Sequence, residues 1–161
     1  MDLKFSTSMK SLSILYAMGL LLSACTSLHK PTPSSDYTMK PYKKKGIVYK
    51  PISVTKNTQM IGLASWYGRD FQGLKTSSGE RYNMYAYTIA HKTWPMGTLV
   101  KIENLKNHKT VIARVNDRGP FVKGRVVDCS YAVACKIGLD KEGVAPVKLT
   151  VIESNSKKLS L

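Results

Sequence analysis

Leu99-Val100-Lys101-Ile102-Glu103-Asn104-Leu105 and Thr110-Val111-Ile112-Ala113-Arg114-Val115 are two alternating runs separated by Lys106-Asn107-His108-Lys109. Alternation of apolar and polar residues is the period of a half-buried strand, and a short polar break between two such runs makes a hairpin. The second run ends in Asn116-Asp117-Arg118-Gly119-Pro120-Phe121, a turn signature built on Gly and Pro. Further strands are expected at Ile61-Gly62-Leu63-Ala64-Ser65-Trp66-Tyr67-Gly68, at Arg125-Val126-Val127-Asp128 and at Val147-Lys148-Leu149-Thr150-Val151-Ile152. Ser130 is placed to N-cap one short helix through Ile137, with Gly138 as its stop. Several short strands and one helix within about ninety residues predict a mainly β domain closed into a small barrel, because closure removes exposed edges. Residues 69–95 are long, polar and poor in strand signals, as expected of a functional loop region or a disordered one.

The barrel is assigned to residues 59–153 and a frayed tail to 154–161. Upstream, Lys4 and Lys10 precede an apolar run from Leu12 to Leu22, interrupted by Ser13, Tyr16 and Gly19. That run is too short for a mature transmembrane helix and fits the core of an export signal over residues 1–24. It ends in Leu22-Ser23-Ala24-Cys25. Small residues before a Cys resemble the bacterial lipobox, so Cys25 is the expected lipidated first residue of the mature chain. Thr26 rather than Asp after the Cys points to the outer membrane of a Gram-negative bacterium, facing the periplasm. Residues 25–58 hold Pro31, Pro33, Pro41, Pro51 and Lys43-Lys44-Lys45 and few core residues, and are read as a flexible basic linker.

The formal net charge is +15, which attracts anions. An exported lipoprotein does not meet nucleic acid, so the anions within reach are lipid phosphates, lipopolysaccharide and the carboxylates of peptidoglycan; a simply solvated basic surface explains the charge equally well. Cys129 and Cys135 are six residues apart across a helix start, a spacing that favours two thiols over a disulfide. No CxxC or Cys/His spacing indicates a metal, and no cofactor motif, nucleophile elbow, phosphate-binding Gly loop or HExxH is present. A monomer is expected.

Acid–base candidates in the domain are few. Lys101 and Glu103 share one strand face, and His108 lies in a turn; solvent exposure accounts for all three. Asp140 and Glu142 fall in a turn after the helix, Asp128 is positioned to tie down the strand–helix junction, and Asp70 is ambiguous. Asp117, Glu80 and His91 remain, each beside turn-forming residues at a segment end. On composition alone each is as readily structural as catalytic: an Asp before Arg-Gly-Pro accepts backbone N–H bonds in a turn.

Five blocks then occur in order: Ala64-Ser65-Trp66-Tyr67-Gly68; Thr76-Ser77-Ser78-Gly79-Glu80-Arg81-Tyr82; Ala90-His91-Lys92-Thr93-Trp94-Pro95-Met96-Gly97-Thr98; Val115-Asn116-Asp117-Arg118-Gly119-Pro120-Phe121; and Val127-Asp128-Cys129-Ser130. Together they resemble the rare lipoprotein A family. The resemblance implies a six-stranded double-psi β-barrel and a lytic transglycosylase that cuts peptidoglycan glycan strands between N-acetylmuramic acid and N-acetylglucosamine, preferring strands stripped of stem peptides. It implies functional roles for Asp117, Glu80 and His91. Many members add a C-terminal SPOR-type glycan-binding domain; with none expected here, septal recruitment by that route is not expected.

Under that resemblance Asp117 acts twice, protonating the glycosidic oxygen and then taking the proton of the muramic C6 hydroxyl. Glu80 is a candidate for the negative neighbour that keeps it protonated, and His91 for positioning it. Ser65, Thr76 and Ser78 are candidate donors to sugar groups, Tyr67 and Trp66 candidate stacking surfaces, and Arg118 a substrate contact or a turn brace. The rival readings are a non-catalytic glycan-binding or expansin-like wall-loosening module, and a plain tether between membrane and wall.

Overall fold

The structure, a computed structural model, describes residues 39–155, all within one compact unit, Pro31–Leu161. The expected export signal, Cys25, the first part of the expected linker and most of the tail lie outside the described residues. Six strands close a barrel: β3 (Gln59–Trp66), β4 (Thr88–His91), β5 (Leu99–Asn104), β6 (Thr110–Asp117), β7 (Arg125–Cys129) and β8 (Ala145–Glu153), in the order β3-β7-β4-β6-β5-β8. β3 with β7 and β4 with β6 are parallel pairs; the other contacts are antiparallel. The expected hairpin is β5–β6, with Leu99 opposite Arg114 and Glu103 opposite Thr110. Its alternation is the barrel's inside–outside pattern: Val100, Ile102, Ala113 and Val115 are buried and join Val127, Leu149 and Val151 in one core.

Two close approaches shape the barrel. A side chain at Gly62 would lie 2.4 Å from Val126 Cγ1, so the absent Cβ lets β7 pack against β3. Asn104 is buried with both ends satisfied: its Nδ2 donates to Ile137 O at 2.9 Å and its Oδ1 accepts from Lys106 N at 3.0 Å. It thereby fastens the hairpin to the end of helix α1 (Tyr131–Ile137). Ser130 caps α1 as expected, its Oγ accepting from Val133 N, and Gly138 closes it in the left-handed conformation. Val133, Ala134 and Ile137 of α1 are buried. The turn expected after Gly138 is instead a second, single-turn helix, α2 (Leu139–Glu142), with Leu139 buried. Cys129 is buried and Cys135 exposed, and both are free thiols.

Two segments depart from the sequence reading. Residues 69–95 contain β4, whose four residues are all buried. A short strand flanked on both sides by others has no polar alternation to show, so Thr-Ile-Ala-His carries no period-2 signal. Residues 42–49, read as part of a linker, form a hairpin of β1 (Tyr42–Lys44) and β2 (Ile47–Tyr49). Lys45 and Gly46 both have positive φ, at 51° and 79°, the backbone of a two-residue hairpin turn. Opposed Tyr42 and Tyr49 stack at 5.3 Å and meet the ring of Phe121 at 6.3 and 5.4 Å; such aromatic pairs contribute roughly 0.5–1.5 kcal/mol each beyond burial. Tyr42 Oη also donates to Lys92 O at 2.8 Å. The lysine run masked a tyrosine pair that docks the hairpin on the barrel.

Candidate active site

β6 delivers Asp117 to the end of the barrel. All three bonds to its carboxylate fall on one oxygen: Oδ1 accepts from Ser77 N at 2.8 Å, Ser77 Oγ at 2.6 Å and Arg118 N at 2.7 Å. Oδ2 has no hydrogen-bond partner among the described residues. Beyond Arg118 the chain turns at Gly119, whose φ of 141° is one that L side chains rarely adopt. The turn brings Phe121 back under the Tyr42–Tyr49 pair. Asp117 opens onto a cavity of about 540 Å³. One side of it is loop 67–82, with Tyr67, Phe71, Leu74, Lys75, Thr76, Ser77 and Tyr82; another is the N-terminal hairpin region, with Lys40, Pro41, Tyr42 and Lys44; Met96, Arg118 and Phe121 complete it.

The turn that grips Asp117 is itself pinned. Thr76 N donates to Glu80 O at 2.8 Å, Gly79 N to Thr76 O at 2.9 Å and Ser78 N to Asn116 O at 3.2 Å. The Glu80 carboxylate takes a forked pair from Arg114, Nη1 to Oε1 at 2.8 Å and Nη2 to Oε2 at 2.9 Å, with Asn116 Nδ2 on Oε2 at 3.2 Å. A forked Arg–carboxylate pair fixes orientation as well as charge. Glu80 is therefore held over β6 by a cation and does not line the cavity. Arg114 and Asn116 were missed from sequence, although two positions apart on a strand they share a face.

His91 closes β4. Its ring is buried and stacks on Trp94 at 4.5 Å. Nδ1 accepts from Thr93 N at 3.2 Å and Trp94 N at 2.9 Å, which assigns the proton of the neutral ring to Nε2. Burial, helped by the charges of Arg118 and Lys92, pushes its pKa down to about 3. His91 is thus a neutral imidazole, and it does not line the cavity. Arg118 ties the two corners together: Nη1 donates to Trp94 O at 2.6 Å and His91 O at 3.3 Å, while the guanidinium lies 5.7 Å from the Tyr42 ring centroid.

Among the expected donors, Thr76 lines the cavity but spends its hydroxyl on Ser78 Oγ at 3.0 Å and Glu80 O at 3.2 Å, and Ser78 is off the lining. Ser65 is buried away from the cavity, donating to Asp128 Oδ1 and accepting from Arg125 Nη1 at 3.0 Å. Tyr67 lines the cavity edge-on to Tyr82 at 5.1 Å, and its buried hydroxyl has no hydrogen-bond partner among the described residues. Trp66 packs instead against the core and Tyr131.

Asp128 is the second carboxylate of this corner. Ala90 of β4 pairs with Asp117 on one side and Asp128 on the other, so one small residue separates the two acids across three strands. Burial raises the Asp128 pKa, against the lowering effects of the Ser65 hydrogen bond, Arg125 and Lys92. The parallel β4–β6 register that brings the acids together leaves no trace in sequence spacing. Among the described residues no group of three or more His, Cys, Asp or Glu is arranged to hold a metal ion.

The sequence model of the lytic transglycolase family matches residues 59–149, the barrel almost end to end. Two similar curated proteins are both called endolytic peptidoglycan transglycosylase RlpA. That of Campylobacter jejuni is 50% identical over 126 residues, 76% of this chain and 46% of the relative. That of Helicobacter pylori strain 26695 is 50% identical over 115 residues, 71% of this chain and 36% of the relative. The chain thus spans less than half the length of these relatives. Among solved structures the Streptomyces papain inhibitor overlaps with a TM-score of 0.47 at 18% identity, over 60% of this chain and 96% of its own. With its five sequence blocks folded into one closed six-stranded barrel, this chain belongs to the lytic transglycolase family, as a rare lipoprotein A protein with a double-psi β-barrel domain.

Proposed function

We propose that this protein is an endolytic lytic transglycosylase that cleaves peptidoglycan between N-acetylmuramic acid and N-acetylglucosamine, favouring peptide-poor strands, with Asp117 as the catalytic acid and base. The observation that carries this reading is the one-sided suspension of Asp117: three donors hold Oδ1, Oδ2 has no hydrogen-bond partner among the described residues, and Asp117 lines a cavity of about 540 Å³. Asp117 gives its proton to the glycosidic oxygen as the C1–O bond of the muramic residue breaks. The muramic C6 hydroxyl then bonds to C1 and returns its proton to Asp117, which yields a 1,6-anhydro ring without consuming water. Because the substrate supplies the attacking hydroxyl, the second carboxylate of ordinary glycosidases is not required as a nucleophile.

The surrounding residues prepare that carboxyl. Glu80, locked to Arg114 and Asn116, serves as a positioning residue that keeps Ser77 on Asp117. His91 serves through the backbone of the Thr93–Trp94 turn, where Arg118 is anchored. Glu80, whose charge Arg114 offsets, is not a negative neighbour of Asp117; the second carboxylate nearby is Asp128, across Ala90. The protein acts from a lipid anchor on Cys25 in the periplasm, at the outer membrane; the signal-like segment and the small residues before Cys25 support this. Incubation of the protein with amidase-treated sacculi, read by mass spectrometry for 1,6-anhydro products, tests the reading. Binding without such products would overturn it in favour of a glycan-binding, wall-loosening or tethering protein.

A further inference from the structure

The hairpin β1–β2 lies outside the stretch that the family model matches, residues 59–149, yet it forms part of the cavity that holds Asp117. Strand alternation turns Tyr42 and Lys44 into that cavity together with Lys40, while Lys43 is not among its lining residues. Tyr42 is fixed from three sides, by Tyr49, by Lys92 O and by the Arg118 guanidinium. Lys44 lies with Nζ 5.9 Å from the Phe121 centroid. The cavity is lined by Lys40, Lys44, Lys75 and Arg118 against one acid, Asp117, and the three lysines have no acidic partner among the described residues. So cationic a rim suits a polymer that carries regularly spaced anions.

The glycan proposed above has that chemistry: each muramic residue bears a lactyl carboxyl, which is an anion when free and a neutral amide when a peptide is attached. We infer that the β1–β2 hairpin, with Lys40 just before it, is a specificity wall of the glycan groove, in which Lys40 and Lys44 pair with free muramoyl carboxylates while Tyr42 anchors the hairpin. The inference rests on the glycan-cleavage reading. The hairpin joins the barrel through the contacts of Tyr42 and Tyr49 with Phe121, the Tyr42–Lys92 hydrogen bond and the Arg118–Tyr42 contact, so exchange of the exposed lysines keeps these and removes only the Lys44–Phe121 contact.

The test uses the full chain and two versions of one peptide-free glycan preparation, with carboxyls free or converted to methylamides. Binding is followed by fluorescence anisotropy of end-labelled strands, and cleavage by release of anhydro ends. Wild type is expected to bind the free-acid strands more tightly, by about three- to tenfold for two exposed ion pairs, with the difference shrinking as salt rises. K40Q/K44Q should lose that margin on free-acid strands through KM and Kd, leave kcat in place, and match wild type on the amide strands. K43Q should behave as wild type on both. Equal weakening on both substrates by K40Q/K44Q, or no weakening, overturns the inference, as does a wild type that binds both strands alike. Absence of anhydro ends from either strand would sink the cleavage reading instead, and the binding comparison would still decide the wall.

Discussion

The two ends of strand β6 carry similar ionisable groups and use them differently. At the Thr110 end, Glu103 meets a cation or imidazole on each oxygen: His108 Nδ1 at 3.2 Å on Oε1 and Lys148 Nζ at 2.7 Å on Oε2. Those bonds, ahead of any charge effect, hold the Glu103 carboxyl below its ordinary value. At the other end, Asp117 lines a cavity and has one oxygen saturated and the other without a hydrogen-bond partner among the described residues. An acid bonded across both oxygens is fixed at each of them; an acid hung from one oxygen is held in place with the other left unbonded. Glu80 shows that position alone does not decide this. It sits at the Asp117 end but is bonded like Glu103, with both oxygens taken, here by Arg114, and so braces the turn that holds Asp117.

The largest effect that tests this contrast is at Asp117. Asp117→Asn should abolish anhydro products from peptide-free glycan while the melting temperature stays near that of wild type, since an amide oxygen can still accept from Ser77 and Arg118. Retained cleavage would remove Asp117 from its role and erase the distinction between the two ends. Next in size is the brace. Glu80→Gln removes the charge from the forked pair with Arg114, and breaking a charge-assisted bond costs about 1.5–3 kcal/mol. Its cleavage rate should fall by roughly ten- to a hundredfold, the same cost felt at the reacting group, with KM nearly unchanged. An unaltered rate would mean that Ser77 needs no help in reaching Asp117.

His91 makes a pH-dependent test. Its folded pKa is about 3, below the ordinary value near 6.5. The unfolded chain therefore takes up a proton between those values that the folded chain refuses. Stability from this group is fully present above about pH 6.5 and drains away as pH falls towards 3, with a slope of at most about 1.4 kcal/mol per pH unit. In thermal melts from pH 7 to 4, His91→Gln should start lower than wild type and decline less steeply. Parallel declines would mean that the ring is protonated in the folded protein. The smallest effect belongs to the far end: Glu103→Gln should leave cleavage unchanged and move the melting temperature least of the four, because exposed ion pairs contribute little. A clear loss of cleavage there would show the two ends to be coupled.

Strands with one face to solvent were legible because alternation reports the inside and outside of a barrel wall; β5, β6 and β8 are of this kind. The helix between β7 and β8 was legible from its Ser130 cap and Gly138 stop, both of which act through bonds within a few residues. β4 was not, since burial of all four of its residues erases alternation. The β1–β2 hairpin was hidden because Lys43-Lys44-Lys45 dominates its composition, while the tyrosines that dock it find Phe121 more than seventy positions away. Asp117, Glu80 and His91 could be shortlisted from sequence, but their bonding could not.

Local chemistry was thus enough to set the β-rich architecture, the β5–β6 hairpin, the capped helix and a short list of acids. Which oxygen of Asp117 is free, that Arg114 spends the charge of Glu80, that His91 is neutral, and that Asp128 lies one strand beyond Ala90 from Asp117 were decided only by the closed barrel. Those properties depend on distances between residues far apart in the chain, and the parallel registers of β3 with β7 and β4 with β6 are what fix those distances.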